Sequence, residues 1–84
     1  MPIMNPYSVA QQATLCAKKA QELAEEAVLI DGPEREDWTV GANRWATEAR
    51  LWEKFAEQKG WETTMRHAST MATIAERWAE TLKE

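Results

Sequence analysis

The sequence predicts an all-α protein, an antiparallel up-down-up bundle of three long helices. Two observations carry this prediction. Small and apolar residues recur in alternating steps of three and four, which is the period of one helix face, and no segment alternates in steps of two as a half-buried strand does. Two breaks, Asp31-Gly32-Pro33 and Lys59-Gly60, divide this pattern into three segments. The 84 residues are enough for one small helical domain spanning 1–84.

The first helix is predicted from about Pro6 to Ile30. Asn5 is suited to cap its N-terminus, and proline is favoured at the first helical position that follows. Gly32 suits a left-handed residue after the helix, and Pro33 suits the first turn of the next one. The apolar stripe of this helix is mainly alanine: Val9, Ala13, Cys16, Ala20, Leu23, Ala27 and Ile30.

The second helix is predicted from about Glu34 to Lys59, and its stripe carries a tryptophan at every seventh position. These residues are Trp38, Trp45 and Trp52, with alanines between them. Small side chains on one helix let a neighbour approach, and large ones fill the remaining space. The three tryptophans are therefore predicted to pack in the core against the alanines of the first helix.

The third helix is predicted from about Trp61 to Lys83, after the stop at Gly60. Its stripe again consists mostly of alanine. The connections between helices are short, and short connections make sequential helices antiparallel neighbours. A helical hairpin that dimerises is the alternative architecture. Trp61 itself fits either a core position or an exposed anchor.

A second set of apolar residues on the second helix lies away from its tryptophan stripe. Val40, Leu51 and Phe55 surround Arg44, and Val40 and Leu51 lie about 120° or more from that stripe on a helical wheel. Single exposed apolar residues are common on protein surfaces. Because these three share a face, they also form a candidate second interface, for a partner protein or for a symmetry-related copy.

The chemistry of an enzyme is not recognisable in this sequence. His67 is the single histidine, and Ser69, two residues on, does not share its helix face. Thr64 stands where the Glu-x-x-His pattern of bundle di-iron sites has its glutamate. Cys16 lies on an apolar stripe, as a small buried residue would. The chain is therefore predicted to be a non-enzyme with no catalytic residues, no metal site and no cofactor.

Negative charge is concentrated in one part of the chain. The net charge is −4 and the isoelectric point is about 5.0, which argues against direct binding to nucleic acid or to an anionic membrane. Between positions 22 and 37 there are seven acidic residues and one base, Arg35. The acidic residues are Glu22, Glu25, Glu26, Asp31, Glu34, Glu36 and Asp37. In an up-down-up bundle this window is one end of the molecule, named the acidic end below.

These observations lead to a hypothesis of a non-catalytic protein–protein interaction module. The acidic end would dock on a basic surface of a partner protein, such as a nucleic-acid-binding complex, and the chain would act as an inhibitor or adaptor. In size, charge and class it resembles phage-encoded inhibitors of bacterial defence systems, including anti-CRISPR proteins. The alternative is a structural homo-oligomer that uses the second apolar face. No signal peptide is recognised, and the expected compartment is the cytoplasm.

Overall fold

The computed structural model describes residues 4–30 and 32–82, which form a three-helix bundle as predicted. The helices are α1 (Pro6–Ala27), α2 (Glu34–Lys59) and α3 (Glu62–Thr81), and each contacts the other two. The Thr64 hydroxyl at the start of α3 donates to the Pro6 carbonyl at the start of α1 over 3.3 Å. Helices α1 and α3 therefore begin at the same end of the bundle, and α2 runs antiparallel to both.

Helix α1 begins where the sequence predicts and ends earlier. The Asn5 side chain accepts a hydrogen bond from the Ser8 backbone N–H at 2.8 Å, and the Ser8 hydroxyl accepts one from the Asn5 N–H at 3.1 Å. The predicted end at Ile30 is wrong, because α1 stops at Ala27. The next residues form a tighter turn, in which Leu29 and Ile30 donate to carbonyls three residues back. The chain needs these residues to turn into α2.

The break between α2 and α3 lies where the glycine predicted it. Gly60 adopts a left-handed conformation with φ 76°, which costs a glycine little. The Trp61 N–H then reaches back to the Ala56 carbonyl at 3.0 Å, and the Gly60 N–H to Glu57 at 3.1 Å. This pair of bonds satisfies carbonyls that the end of a helix leaves free. Helix α2 has its predicted bounds, and α3 starts one residue later than predicted, at Glu62; Lys83, its predicted end, lies outside the described residues.

Alanine forms most of the core. Of the 16 buried hydrophobic residues in the described part of the chain, 13 are alanine, and the others are Val9, Cys16 and Leu82. The tryptophans predicted to fill the core lie half-buried at its rim instead. Trp45 and Trp52 pack against the buried Cys16, Ala49 and Ala72. The reason is geometric: where three helices meet through alanine, the axis between them has no space for an indole ring.

A polar contact also joins α2 to α3. The Arg50 guanidinium donates to both carboxylate oxygens of Glu76, at 2.7 Å from Nε and 2.6 Å from Nη2, and to Glu53 at 2.8 Å. Hydrogen bonds from Arg50 lower the pKa of the Glu76 carboxyl below its ordinary value. Two parallel bonds fix the geometry of an ion pair more tightly than one does.

Overpacking at the centre of the alanine seam is expected to destabilise the bundle. Ala72→Leu adds three carbon atoms at a fully buried position. The free energy of unfolding should fall by about 1–3 kcal/mol, because the three helices must separate to admit them. Thermal denaturation of this variant is compared with that of Thr70→Leu, which places the same side chain at an exposed position of α3. Equal melting temperatures for the two variants would contradict an alanine-tight core.

The contact between Arg50 and Glu76 predicts a pH-dependent stability difference. Glu76→Gln should lower the free energy of unfolding by about 0.5–1 kcal/mol at neutral pH, since both side chains are partly exposed and solvent screens the pair. A lowered pKa stabilises the folded state above the ordinary value of 4.5, and this stabilisation is lost as pH falls through the lowered pKa. Urea denaturation should therefore show the difference from wild type shrinking in acid.

Glu62→Gln is the matched control for that experiment. It breaks the 2.6 Å ion pair with Arg66 on the exposed surface of α3, where both side chains are at least 70% exposed. Little or no change in stability is expected from this control. A Glu76→Gln difference that persists unchanged in acid would show that the ion pair is not its cause.

Candidate functional site

The acidic end predicted from the sequence is one end of the folded molecule. Ala24 and Ala27 of α1 pack there against Ala42 of α2 and against Ala79 and Leu82 of α3. The C-terminal ends of α1 and α3 thus meet the N-terminal end of α2. The charged side chains at the end of α1 and at the start of α2 therefore lie at the same end of the molecule.

Three of the seven predicted acidic residues line one niche. Glu22, Glu25 and Glu26 surround it together with Leu23 and Trp38, and its volume is about 480 Å³. We call it the Trp38 niche. Glu34, Glu36 and Asp37 lie outside it, exposed in the first turn of α2. Asp31 lies outside the described residues.

A close approach between α1 and α2 builds the Trp38 niche. Gly41 lacks a side chain, and a Cβ atom placed there would lie 3.0 Å from the Leu23 Cδ1 atom. Leu23 therefore packs close to the α2 backbone. Trp38, one turn earlier on α2, packs against the alanine cluster of the acidic end and remains half-buried. Its indole ring forms a wall beside the glutamates of α1.

Among the described residues, much of the negative charge around the Trp38 niche has no basic side chain paired with it. Lys19 lies 3.7 Å from the Glu22 carboxylate, but within the described residues Glu25 and Glu26 form no salt bridge. The last turn of α1 contains no basic residue. Acidic groups at a helix C-terminus oppose the helix dipole, at a cost of about 0.3–1 kcal/mol each. The niche therefore combines carboxylates and a helix C-terminus, both of negative potential.

An exposed apolar pair borders this region, and the sequence reasoning missed it. Val28 is 60% exposed and Leu29 is 81% exposed, directly after α1 ends. The sequence predicts that α1 continues to Ile30, and a continuous helix gives no reason to expect an exposed apolar pair there. The signal that could have found them is the apolar run Val28-Leu29-Ile30 placed directly before a turn. The acidic end therefore offers both charge and apolar surface.

The second predicted interface is only partly open in the structure. Val40 and Leu51 are 51% and 54% exposed, and Arg44 is exposed between them. Phe55 is half-buried, because its ring packs edge-on against Trp52 and Trp61 with 6.0 Å between ring centres. Trp61, left open between core and anchor, is a half-buried member of this aromatic cluster.

The single histidine of the sequence, His67, lies beside an open groove. His67 Nε2 lies 2.7 Å from the Thr14 hydroxyl oxygen, beside an open groove of about 430 Å³ that also touches Tyr7, Leu15 and Lys18. Within residues 4–30 and 32–82, no group of three or more His, Cys, Asp or Glu residues is placed to hold a metal ion. No helix in that part of the chain is long and apolar enough to cross a membrane.

Cys16 lies in the core, as its place on the apolar stripe predicted. It is 1% exposed and packs with Ala49 and Ala72. Burial and, to a smaller extent, the negative charge of Glu48 raise the pKa of the Cys16 thiol to about 11. The thiolate is the reactive form of cysteine, so this thiol is protected both sterically and electrostatically.

Comparisons with known protein families, with characterised proteins and with solved structures find no match to this chain.

The burial of Cys16 predicts a thiol that reacts only after unfolding. In the native protein, reaction with Ellman's reagent at mildly alkaline pH should be at least about a thousandfold slower than in denaturant, because the reagent must wait for the bundle to open. A Cys16→Ser, Thr70→Cys variant, with its thiol at an exposed position, serves as the reactive control. Rapid labelling of native wild-type protein would contradict the packing of α1 described above.

Proposed function

We propose that the chain is a non-catalytic protein-binding module whose acidic end docks on a basic surface of a partner protein. The observation that carries the proposal is the Trp38 niche, where an aromatic wall and three glutamates share one hollow. Acidic residues alone would be an ordinary solvated helix face. An indole ring among carboxylates is chemically suited to an arginine or lysine side chain, which it binds through its π face while the carboxylates balance the charge.

The surroundings of the niche support the same kind of partner. Val28 and Leu29 supply exposed apolar surface next to the glutamates, and protein interfaces generally join an apolar centre to a polar rim. The further acids in the first turn of α2 extend the negative field beyond the niche. Such a field speeds association with a basic partner more than it adds affinity.

The proposed role is that of an inhibitor or adaptor, as the resemblance to small phage-encoded inhibitors implies. A basic protein surface that binds nucleic acid fits the charge of the acidic end, and an acidic chain covering that surface would compete with the nucleic acid. In this proposal neither nucleic acid nor a membrane is bound directly. The single cysteine, which has no disulfide partner in the sequence, fits the reducing interior of a cell and supports a proposed cytoplasmic location.

The proposal predicts that removing two glutamates of the Trp38 niche weakens binding of a basic peptide more than removing two glutamates elsewhere. The probe is a nona-arginine peptide, titrated into isotopically labelled protein and followed by NMR. In the wild-type protein, the peptide should shift the NMR signals of the Trp38 indole and of the backbone around Glu25 and Glu26. Glu25→Gln with Glu26→Gln should weaken binding by about fivefold to thirtyfold, since two charge-assisted contacts are lost.

The matched control carries Glu57→Gln and Glu62→Gln, exposed positions near the other end of the molecule. It has the same net charge as the niche variant and should bind nearly as well as wild type. Trp38→Leu should also weaken binding, with the carboxylates left in place. Equal weakening by the two charge variants would mean that net charge alone attracts the peptide, and the niche would then lose its assigned role.

A further inference from the structure

A surface separate from the Trp38 niche runs along the side of α2 that faces away from the bundle, and it includes Val40, Arg44 and Leu51 of the second predicted interface. Its residues recur in alternating steps of three and four, which is the spacing of a coiled-coil seam. All of them are exposed in the single chain: Asp37, Val40, Arg44, Thr47, Leu51 and Lys54. We call this stripe the outer face of α2. We infer that a second copy of this chain docks on it, antiparallel, to form a symmetric dimer.

The argument is the self-complementarity of the stripe. With a two-fold axis passing between positions 45 and 46, Asp37 lies opposite Lys54 of the second copy, and Val40 lies opposite its Leu51. Arg44 lies opposite Thr47 of the second copy, one residue from its Glu48. The symmetry repeats each pairing in reverse. Opposite charges therefore face each other at Asp37 and Lys54 and apolar side chains at Val40 and Leu51, while Arg44 faces a neutral threonine, so no like charges are directly opposed.

Other registers lose this match. Sliding the second copy by seven residues in one direction places Arg44 opposite Lys54, two like charges. Sliding it the other way places Arg44 opposite Val40 and leaves a cation on an apolar partner. A parallel arrangement places Arg44 opposite Arg44 and Asp37 opposite Asp37. Like charges facing each other are unfavourable, so the antiparallel register is selected.

In the single chain, the charged and apolar side chains of the outer face of α2 are free to contact a second copy. Within the described residues, Asp37, Arg44 and Lys54 form no salt bridge. A shallow groove of about 890 Å³ runs beside Val40, Gly41, Arg44 and Glu48, on the side where Leu51 of the second copy would lie. One helix from each copy makes a small interface, below about 1,200 Å² in total, so the dimer is expected to be reversible, with a dissociation constant on the order of 100 µM.

Sedimentation equilibrium tests the dimer. Between about 10 µM and about 1 mM, the mean mass should rise from 9.6 kDa toward twice that value. Asp37→Lys alone and Lys54→Asp alone should each weaken association by about tenfold, because each places like charges opposite one another at two symmetric positions. Combining both substitutions restores opposite charges and should restore the wild-type association. Circular dichroism checks that every variant remains helical.

Cross-linking tests the register. In a Cys16→Ser background, Val40→Cys protein mixed with Leu51→Cys protein should form a mixed disulfide on oxidation, faster than either variant forms one with itself. Glu57→Cys protein, with its thiol off the outer face of α2, is the control and should not cross-link preferentially. A mass that stays at 9.6 kDa throughout, failure of the double charge swap to rescue, or preferential Val40→Cys self-linking would each overturn the inference. Lys54→Asp, Val40→Cys and Leu51→Cys alter no residue of the acidic end, so peptide binding by these variants remains a separate test of the Trp38 niche.

Discussion

The close contact of three helices through alanine is the constraint on which the rest of this structure depends. A methyl side chain lets helix backbones approach closely but buries little apolar area, and area buried is the main source of folding free energy. The bundle therefore needs other apolar surface to cover the seam. Its tryptophans supply this surface from the rim, where Trp45 and Trp52 lie over Cys16 and its alanine neighbours.

This division between a small-residue seam and a large-residue rim determines what the surface can offer. An indole at the rim keeps part of its ring accessible, whereas one at the centre of a core is lost to partners. Trp38 illustrates the consequence, since the same ring closes the alanine cluster of the acidic end and forms the wall of the niche. Phe55 illustrates the opposite outcome, because its contacts with Trp52 and Trp61 withdraw much of it from the outer face of α2.

The two proposed surfaces are compatible in one assembly. An antiparallel pairing of two α2 helices places the acidic ends of the two copies at opposite ends of the dimer. Each Trp38 niche then remains open, since it lies between α1 and α2 rather than on the outer face of α2. Asp37 is the residue shared by both descriptions, as an acid of the first turn of α2 and as an end of the complementary stripe. A dimer of this form would be bivalent, and bivalent binding raises avidity where two target sites are correctly spaced.

The sequence by itself determined the helical class, the number of helices and most of their ends, because periodicity, the Asn5 cap and the Gly60 stop are local features with local physical causes. It also located the acidic end, since short connections leave only one way for adjacent helices to run. Tertiary structure alone decided that the tryptophans lie at the rim, that α1 ends before Val28, and that Glu22, Glu25 and Glu26 share a niche with Trp38. These outcomes depend on how closely three helix axes approach and on the path of the chain between α1 and α2, which no periodic pattern encodes.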